Sequence, residues 1–273
     1  RRQRQMCIRD SDKVEEIFEA QLKKCQVDHF DFYLFHNVCE MNIDAYLDPR
    51  YGIHDYLMEQ KKNGRIRHLG FSCHGNLPVL KRFLEAYGKD MEFCQLQLNY
   101  IDWENDNVQS RKCYEVAVKH NKPIIVMEPV KGGMLATPPQ PVLDILKGAE
   151  PEASAASWAI RFAASLDGVI TVLSGMSNVE QMKDNLSFMK DFNGLSEKER
   201  ETLDQAQKAL AEIPLIPCTN CNYCAKVCPE NIGISGSFTA MNYLTLYGDM
   251  GAAKHQENWL VGGHGKKQAN QCI

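Results

Sequence analysis

Between Cys218 and Pro229 the chain reads CTNCNYCAKVCP, a C-x2-C-x2-C-x3-C-P run that restricts its surroundings to a loop wrapped around an inorganic centre. Three thiols two residues apart can cover one face of a cubane when the intervening residues are small and polar. The fourth Cys and its proline then end the loop. The spacing predicts a 4Fe-4S cluster with Cys218, Cys221, Cys224 and Cys228 as its ligand motif. A structural zinc site would call for two separated C-x2-C pairs or a matching His pair, and neither accompanies this run. The thiols also sit too close together for ordinary disulfides.

The last residues are Gln271-Cys272-Ile273. In two-cluster ferredoxins the fourth Cys of one motif ligates the other cluster, so Cys272 reads as the first Cys of a second motif. On that reading Cys218, Cys221 and Cys224 hold one cluster with a Cys beyond Ile273, while Cys228 and Cys272 belong to the second. Phe238, Met241, Tyr243, Leu244 and Leu246 lie in a stretch that suits helix, followed by a glycine-rich turn at Gly262-Gly263-His264-Gly265. Helix between two Cys motifs resembles the α-helical ferredoxin arrangement.

A chain of 273 residues with 44% hydrophobic content can hold one large domain and one small one. The net charge of -4, with both signs interspersed, argues against nucleic acid as a partner. No apolar run has the length of a membrane span. Eleven cysteines, four of them in the cluster motif, point to a reducing, cytoplasmic setting. The opening RRQRQMCIRD is basic and lacks apolar periodicity, so residues 1–10 read as a non-native segment.

From Asp12 onward helical and strand patterns alternate. Val14, Ile17, Phe18, Gln21 and Leu22 recur at helical spacing behind an Asp12/Glu15 capping box. Apolar runs predict strands over 30–36, 66–71, 93–100, 123–128 and 169–174. Helices are predicted over 51–62 with Gly64 as the C′ residue, then from Pro78 to Gly88. Further helices are predicted over 106–120, 151–164, 179–189 and 196–211, with TPPQP before 151 read as loop. Strict alternation implies a parallel sheet with helical crossovers. Five such units fit an open doubly wound sheet or part of an eight-stranded barrel. The G-x-G-x-x-G that would favour a dinucleotide fold of the first kind is missing. Ser174-Gly175-Met176-Ser177-Asn178 leads from the last strand into a helix, where exposed amides suit a phosphate as well as they suit a plain cap.

Taken together, DFYLFH, GFSCHG, QLQLNYID, IIVMEPVKGGML and VLSGMSNVEQMKDNL resemble, in order, the fourth to eighth strand regions of the aldo-keto reductases. The Cys motif is similar to that of the subfamily with a C-terminal 4Fe-4S ferredoxin-type domain. The resemblance implies a (β/α)8 TIM barrel, incomplete here, with its last five β–α units over 11–212, followed by a small, mostly helical ferredoxin-type domain over 213–273. It implies an oxidoreductase linking NAD(P)H to a small carbonyl or alcohol, with a redox partner protein for the cluster. The alternative is a non-catalytic barrel that carries an iron-sulfur electron-transfer module.

By the same resemblance His36 is the catalytic residue that hydrogen-bonds the substrate oxygen. Ser72 and Gln97 hold the nicotinamide carboxamide; Lys131, Gly132 and Gly133 cross the diphosphate; Ser174, Gly175, Ser177, Gln181 and Asn185 hold the adenosine end. Asn99, read on the opposite pleat from Gln97, is a weaker substrate or loop candidate. Met127 stands where many relatives stack an aromatic ring. The family's Asp, Tyr and Lys belong to three earlier units, which makes the chain an internal fragment, inactive by itself. Tyr33 is no substitute for that Tyr, because alternation with His36 turns it away from the barrel interior.

Overall fold

The computed structural model describes residues 13–105, 108–192, 194–216, 218 and 223–272, without the side chains of Tyr223 and His264. Five strands, β1 (Phe30–Val38), β2 (Ile66–Cys73), β3 (Phe93–Gln97), β4 (Ile124–Met127) and β5 (Val169–Val172), pair in parallel and follow one another across the sheet in chain order. A doubly wound sheet reverses its order at a switch point. This sheet has no reversal, and its order is that of consecutive barrel units.

The described residues form two compact units, one within 13–132 and 156–196, the other within 133–155 and 197–272. The first holds the sheet, with α1 (Val14–Cys25), α2 (Ile43–Leu47), α3 (Ile53–Lys62), α4 (Leu77–Tyr87), α5 (Ser110–Lys119), α7 (Ala155–Ala164) and α8 (Val179–Met189). Its core is aromatic at the β1–β2–α4 contact. Phe83 of α4 packs on Phe71 at a centroid distance of 4.6 Å and on Phe35 at 5.3 Å, and all three are fully buried. Leu69, Leu80, Cys94, Leu98, Ile124 and Val126 extend that core across the sheet. Gly70 lets β2 and β3 approach closely, since a Cβ there would lie 2.6 Å from the Phe93 carbonyl oxygen.

The second unit contains α6 (Gln140–Ala149), α9 (Glu197–Ala211), α10 (Tyr223–Val227), α11 (Ile234–Tyr247) and α12 (Met250–Leu260). Here α6 packs against α9, burying Val142 and Leu146 on one side and Leu203 and Ala206 on the other. The α11 and α12 helices cross closely at Gly236, where a Cβ would meet Leu260 and Val261 at 3.0 Å. An isolated parallel bridge, Ile232 to Lys267, ties the two ends of this helical pair.

Several boundaries differ from expectation. Asp12 lies outside the described residues, and the α1 N-cap is Lys13, with no side-chain cap. The strand expected to reach Tyr100 stops at Gln97, because Asn99 turns the chain by accepting the Asp102 N–H at 2.9 Å. The helix expected from 106 begins at Ser110, and the one expected from 151 begins at Ala155. Helices α2, α6, α10 and α12 were not expected, and α10 lies within the Cys218–Pro229 run that the sequence reads as loop. Gly64 is the predicted C′ residue, with φ +75° and its N–H on the Lys61 carbonyl. Among the described residues no helix is long and apolar enough to cross a membrane.

Candidate active site

The C-terminal end of β1 is kinked. Its register with β2 shifts between Phe35 and Val38, and Asn37 adopts φ +57°, a left-handed conformation unusual for a residue with a Cβ. Three side chains hold this kink. The Asn37 N–H donates to Ser72 Oγ, Asn42 Nδ2 donates to the Asn37 carbonyl, and the Tyr46 hydroxyl donates to the His36 carbonyl, each at 2.7 Å. His36 is half-buried and lies at one end of a cavity of about 330 Å³ that runs along β1 and also takes in Val14, Gln21 and Cys25 of α1 and Tyr33 of the strand's helix-facing side. Tyr33 donates its hydroxyl to Gln21 of α1 at 2.8 Å, and burial pushes that hydroxyl well above the usual phenol range. Tyr33 thus faces the helix, as its alternation with His36 predicts.

His74, directly after β2, adds a second imidazole near His36; its backbone N–H donates to the Val38 carbonyl at 2.9 Å. The residue as a whole is exposed to solvent, while the protein atoms around the imidazole are dense enough to desolvate it. Desolvation, helped by the neighbouring His36, pushes it down to about 4, so the ring is neutral at pH 7.

A second cluster joins the loops after β3 and β4. Asp102 is 1% exposed and receives Lys131 Nζ at 2.5 and 2.6 Å on its two oxygens. Asn99 Nδ2 at 2.9 Å and Gln97 Nε2 at 3.2 Å donate to the same carboxylate. Asn99 is therefore not on the opposite pleat from Gln97. The strand has ended, and both amides converge on one buried charge. Leaving such a carboxylate without its partner costs about 3–5 kcal/mol, whereas an exposed ammonium–anion pair returns at most about 1 kcal/mol. The Lys131 turn is itself strained, with Glu128 at φ +53°, Lys131 at +48° and Gly132 at +67°.

At the third location the chain leaves β5 for α8. Asn178 caps α8 by accepting the Gln181 N–H at 2.8 Å, and Gln181 Oε1 accepts the Ser177 N–H at 2.7 Å. Asn185 Nδ2 donates to Ser174 Oγ at 2.8 Å, tying the helix to the strand end. Gly175 has nothing within 4 Å of where a Cβ would stand, so its backbone is open to approach. Gly132 and Gly133 are equally open. Met127 is buried at the end of β4, and its Sδ lies 3.3 Å from Gln95 Nε2.

Sequence reasoning passed over Tyr46, Gln95 and Asp102. Gln95 carried a usable signal, because residues two apart on a strand share a face and Gln95 is the other polar residue on Gln97's side. Tyr46 and Asp102 gave none, since their roles depend on which loops the sheet order brings together.

The cysteines fall into two classes. Burial pushes the thiols of Cys94 and Cys113 up to about 12 and about 11, and that of Cys73 higher still, which makes them inert packing groups. Cys218, Cys224 and Cys228 are half-buried, Cys272 is exposed, and none is in a disulfide. The Ile232 N–H points at Cys228 Sγ at 3.4 Å, the kind of donor that stabilises a ligating thiolate. Cys221 lies outside the described residues, among which no group of three or more metal-binding side chains is assembled.

Comparison with known proteins gives a consistent result. The model of the aldo/keto reductase family matches residues 6–208. Aldo-keto reductase AKR11C1 from Bacillus halodurans, in its apo form, superposes with a TM-score of 0.56 at 22% identity, covering 73% of this chain and 70% of that one. An aldo/keto reductase from Klebsiella pneumoniae, solved in complex with NADP and acetate, gives 0.53 at 17% identity, covering 70% of this chain and 64% of that one. An aldo/keto reductase from Brucella melitensis gives 0.53 at 19%, covering 72% and 67%. The chain thus spans 64% to 70% of the length of these three solved structures. No curated protein matches it.

Proposed function

Because the chain belongs to the aldo/keto reductase family, a family of oxidoreductase enzymes, we propose that its sheet is the last five units of a (β/α)8 barrel that exchanges a hydride between NAD(P)H and a carbonyl or alcohol. What carries this reading is the end of β1. A half-buried imidazole stands at the C-terminal end of a parallel strand, the end at which barrel active sites lie, held by a kink that three side chains brace.

Bound nicotinamide would supply or accept the hydride. The chain's own residues would do the rest. His36 would donate a hydrogen bond to the substrate oxygen and fix the carbonyl's orientation. Gln95 and Gln97 offer amides for the carboxamide, though Gln97 already donates to Asp102 and Ser72 already accepts from Asn37. The open backbones at Gly132 and Gly175 leave room for phosphate and ribose, and the capped start of α8, with Ser174, Ser177, Gln181 and Asn185, suits the adenosine end.

The C-terminal part is proposed as a ferredoxin-type domain over 213–273, with Cys218, Cys221, Cys224 and Cys228 as its ligand set and Cys272 serving a second motif. The spacing of the run and the Ile232 N–H aimed at Cys228 Sγ support it. Such a cluster would pass single electrons to or from a partner protein.

Anaerobic reconstitution tests the cluster: iron with acid-labile sulfide, and a charge-transfer band lost in Cys221→Ser, are expected, whereas stoichiometric zinc without sulfide would refute it. Quenching of protein fluorescence by NADPH tests the barrel. Residues 1–273 should bind NADPH with saturable quenching; fluorescence that NADPH leaves unchanged would refute the nucleotide reading.

A further inference from the structure

The resemblance sends the Lys131 ammonium to a diphosphate, but the geometry gives it another partner. Asp102, 1% exposed, takes Lys131 Nζ on both oxygens at 2.5 and 2.6 Å, and Asn99 and Gln97 both donate to Oδ2, which leaves Lys131 as the one donor to Oδ1 among these three residues. The pair is neutral as a whole. Moving the lysine onto an incoming anion would exchange a buried ion pair for a more exposed one and leave the carboxylate without its counter-charge, a loss several times larger than the gain.

The backbone next to the pair explains why such a pair is present. Glu128 and Lys131 both hold left-handed φ values, a conformation unfavourable for residues with a Cβ. Two contacts oppose that cost: the Lys131 N–H closes the turn on the Glu128 carbonyl at 3.0 Å, and Asn99 Nδ2 reaches the same carbonyl at 3.4 Å. Asn99 therefore ties Asp102 and the turn together. Gly132, with nothing within 4 Å of its missing Cβ, is the open backbone that this arrangement presents.

We infer that the Lys131 ammonium serves as the counter-ion of the buried Asp102, so that a dinucleotide's diphosphate meets the Gly132 backbone rather than the lysine's charge. The ligand half of this inference rests on the nucleotide reading above. The counter-ion half stands on the cluster alone.

Two measurements on the 273-residue chain separate the halves. With ¹⁵N-labelled lysine, the Lys131 ammonium should give a protected Nζ resonance, assigned by its loss in Lys131→Met. It should vanish in Asp102→Asn and hold its position when NADPH saturates the protein. In NADPH titrations, Lys131→Met should weaken binding by about tenfold through the stranded carboxylate, and Lys131→Met/Asp102→Asn should return to within about twofold of the parent, because removing both partners leaves nothing unpaired.

The slope of log Kd against log salt should be the same in the double variant as in the parent. If Lys131→Met does not fold, Lys131→Gln, which can still donate to Asp102, replaces it. A double variant that remains weak with a flattened salt slope, or an Nζ resonance displaced by NADPH, would overturn the ligand half. A resonance indifferent to Asp102→Asn would overturn the counter-ion half. A parent chain that binds no NADPH would overturn the nucleotide reading, while the resonance in Asp102→Asn would still decide the counter-ion.

Discussion

Helices α4 and α8 are local twins in unlike surroundings. Each has 11 residues, follows a strand of the same sheet, and begins at an Asn whose side chain accepts the N–H three residues on. Yet α4 buries Val79, Leu80, Phe83 and Leu84, while α8 buries nothing and leaves Val179, Met182 and Leu186 at 63%, 44% and 60% exposure. The strands differ in the same way: β2, between two neighbours, is mostly buried, and β5, at the sheet's edge, exposes Ile170 and Thr171. Capping and periodicity form a helix; only a surface to pack against lets its apolar face contribute to stability.

The largest test of that contrast is truncation on each side. Phe83→Ala removes a ring from between Phe71 and Phe35 and should cost about 3–5 kcal/mol in urea unfolding. Leu186→Ala, on the open face, should stay within about 0.5 kcal/mol. A comparable loss at Leu186 would mean that α8 is covered in solution.

Glycine substitution sharpens the comparison at intermediate size. Gly70→Ala drives a methyl to 2.6 Å from the Phe93 carbonyl and should cost about 1–3 kcal/mol, with β2 and β3 forced apart. At Gly175, where the space is open, Ala should change the thermal midpoint little.

The caps should separate by probe rather than by strength. Asn76→Ala and Asn178→Ala each delete a bond of about 1 kcal/mol. The first should lower global stability. The second should appear chiefly as faster amide exchange in α8, because that helix can fray without opening the core.

The smallest effect is electrostatic and belongs to the packed side, since residues 165–196 contain no histidine. The folded chain holds His74 below its ordinary 6.5, at about 4, so the unfolded chain binds the extra proton first between those values. Stability from this group is complete above about pH 6.5 and is lost as pH falls toward 4. An NMR titration of the His74 ring should show the low midpoint, and His36→Asn should raise it by removing the like-charged neighbour.

How much of this was legible in advance varied with range. The α8 bounds, Val179 to Met189, followed directly from apolar spacing behind Asn178. The α6 helix did not, because TPPQP read as loop, although a proline at the first helical turn is a start signal and Pro141 occupies that place. The α12 helix carried a similar unread signal in Asp249, which accepts the Ala252 N–H at 2.9 Å. At the candidate site, His36 was reached through the family resemblance, since a His on an otherwise apolar strand reads by itself as a core residue. The Asp102–Lys131 pair could not be recognised, because it joins residues 29 positions apart and exists only because β3 and β4 are neighbours.

Sheet order equal to chain order also bears on how the molecule reaches its native state. Each described strand finds its partner one crossover away, and the paired residues lie between 23 (Gly70 to Phe93) and 46 (Ile125 to Thr171) positions apart. A sheet of this kind can grow stepwise from any adjacent pair. Substitutions at the β1–β2–α4 junction, where the aromatic cluster forms, should slow refolding, whereas those at β5 should mainly hasten unfolding.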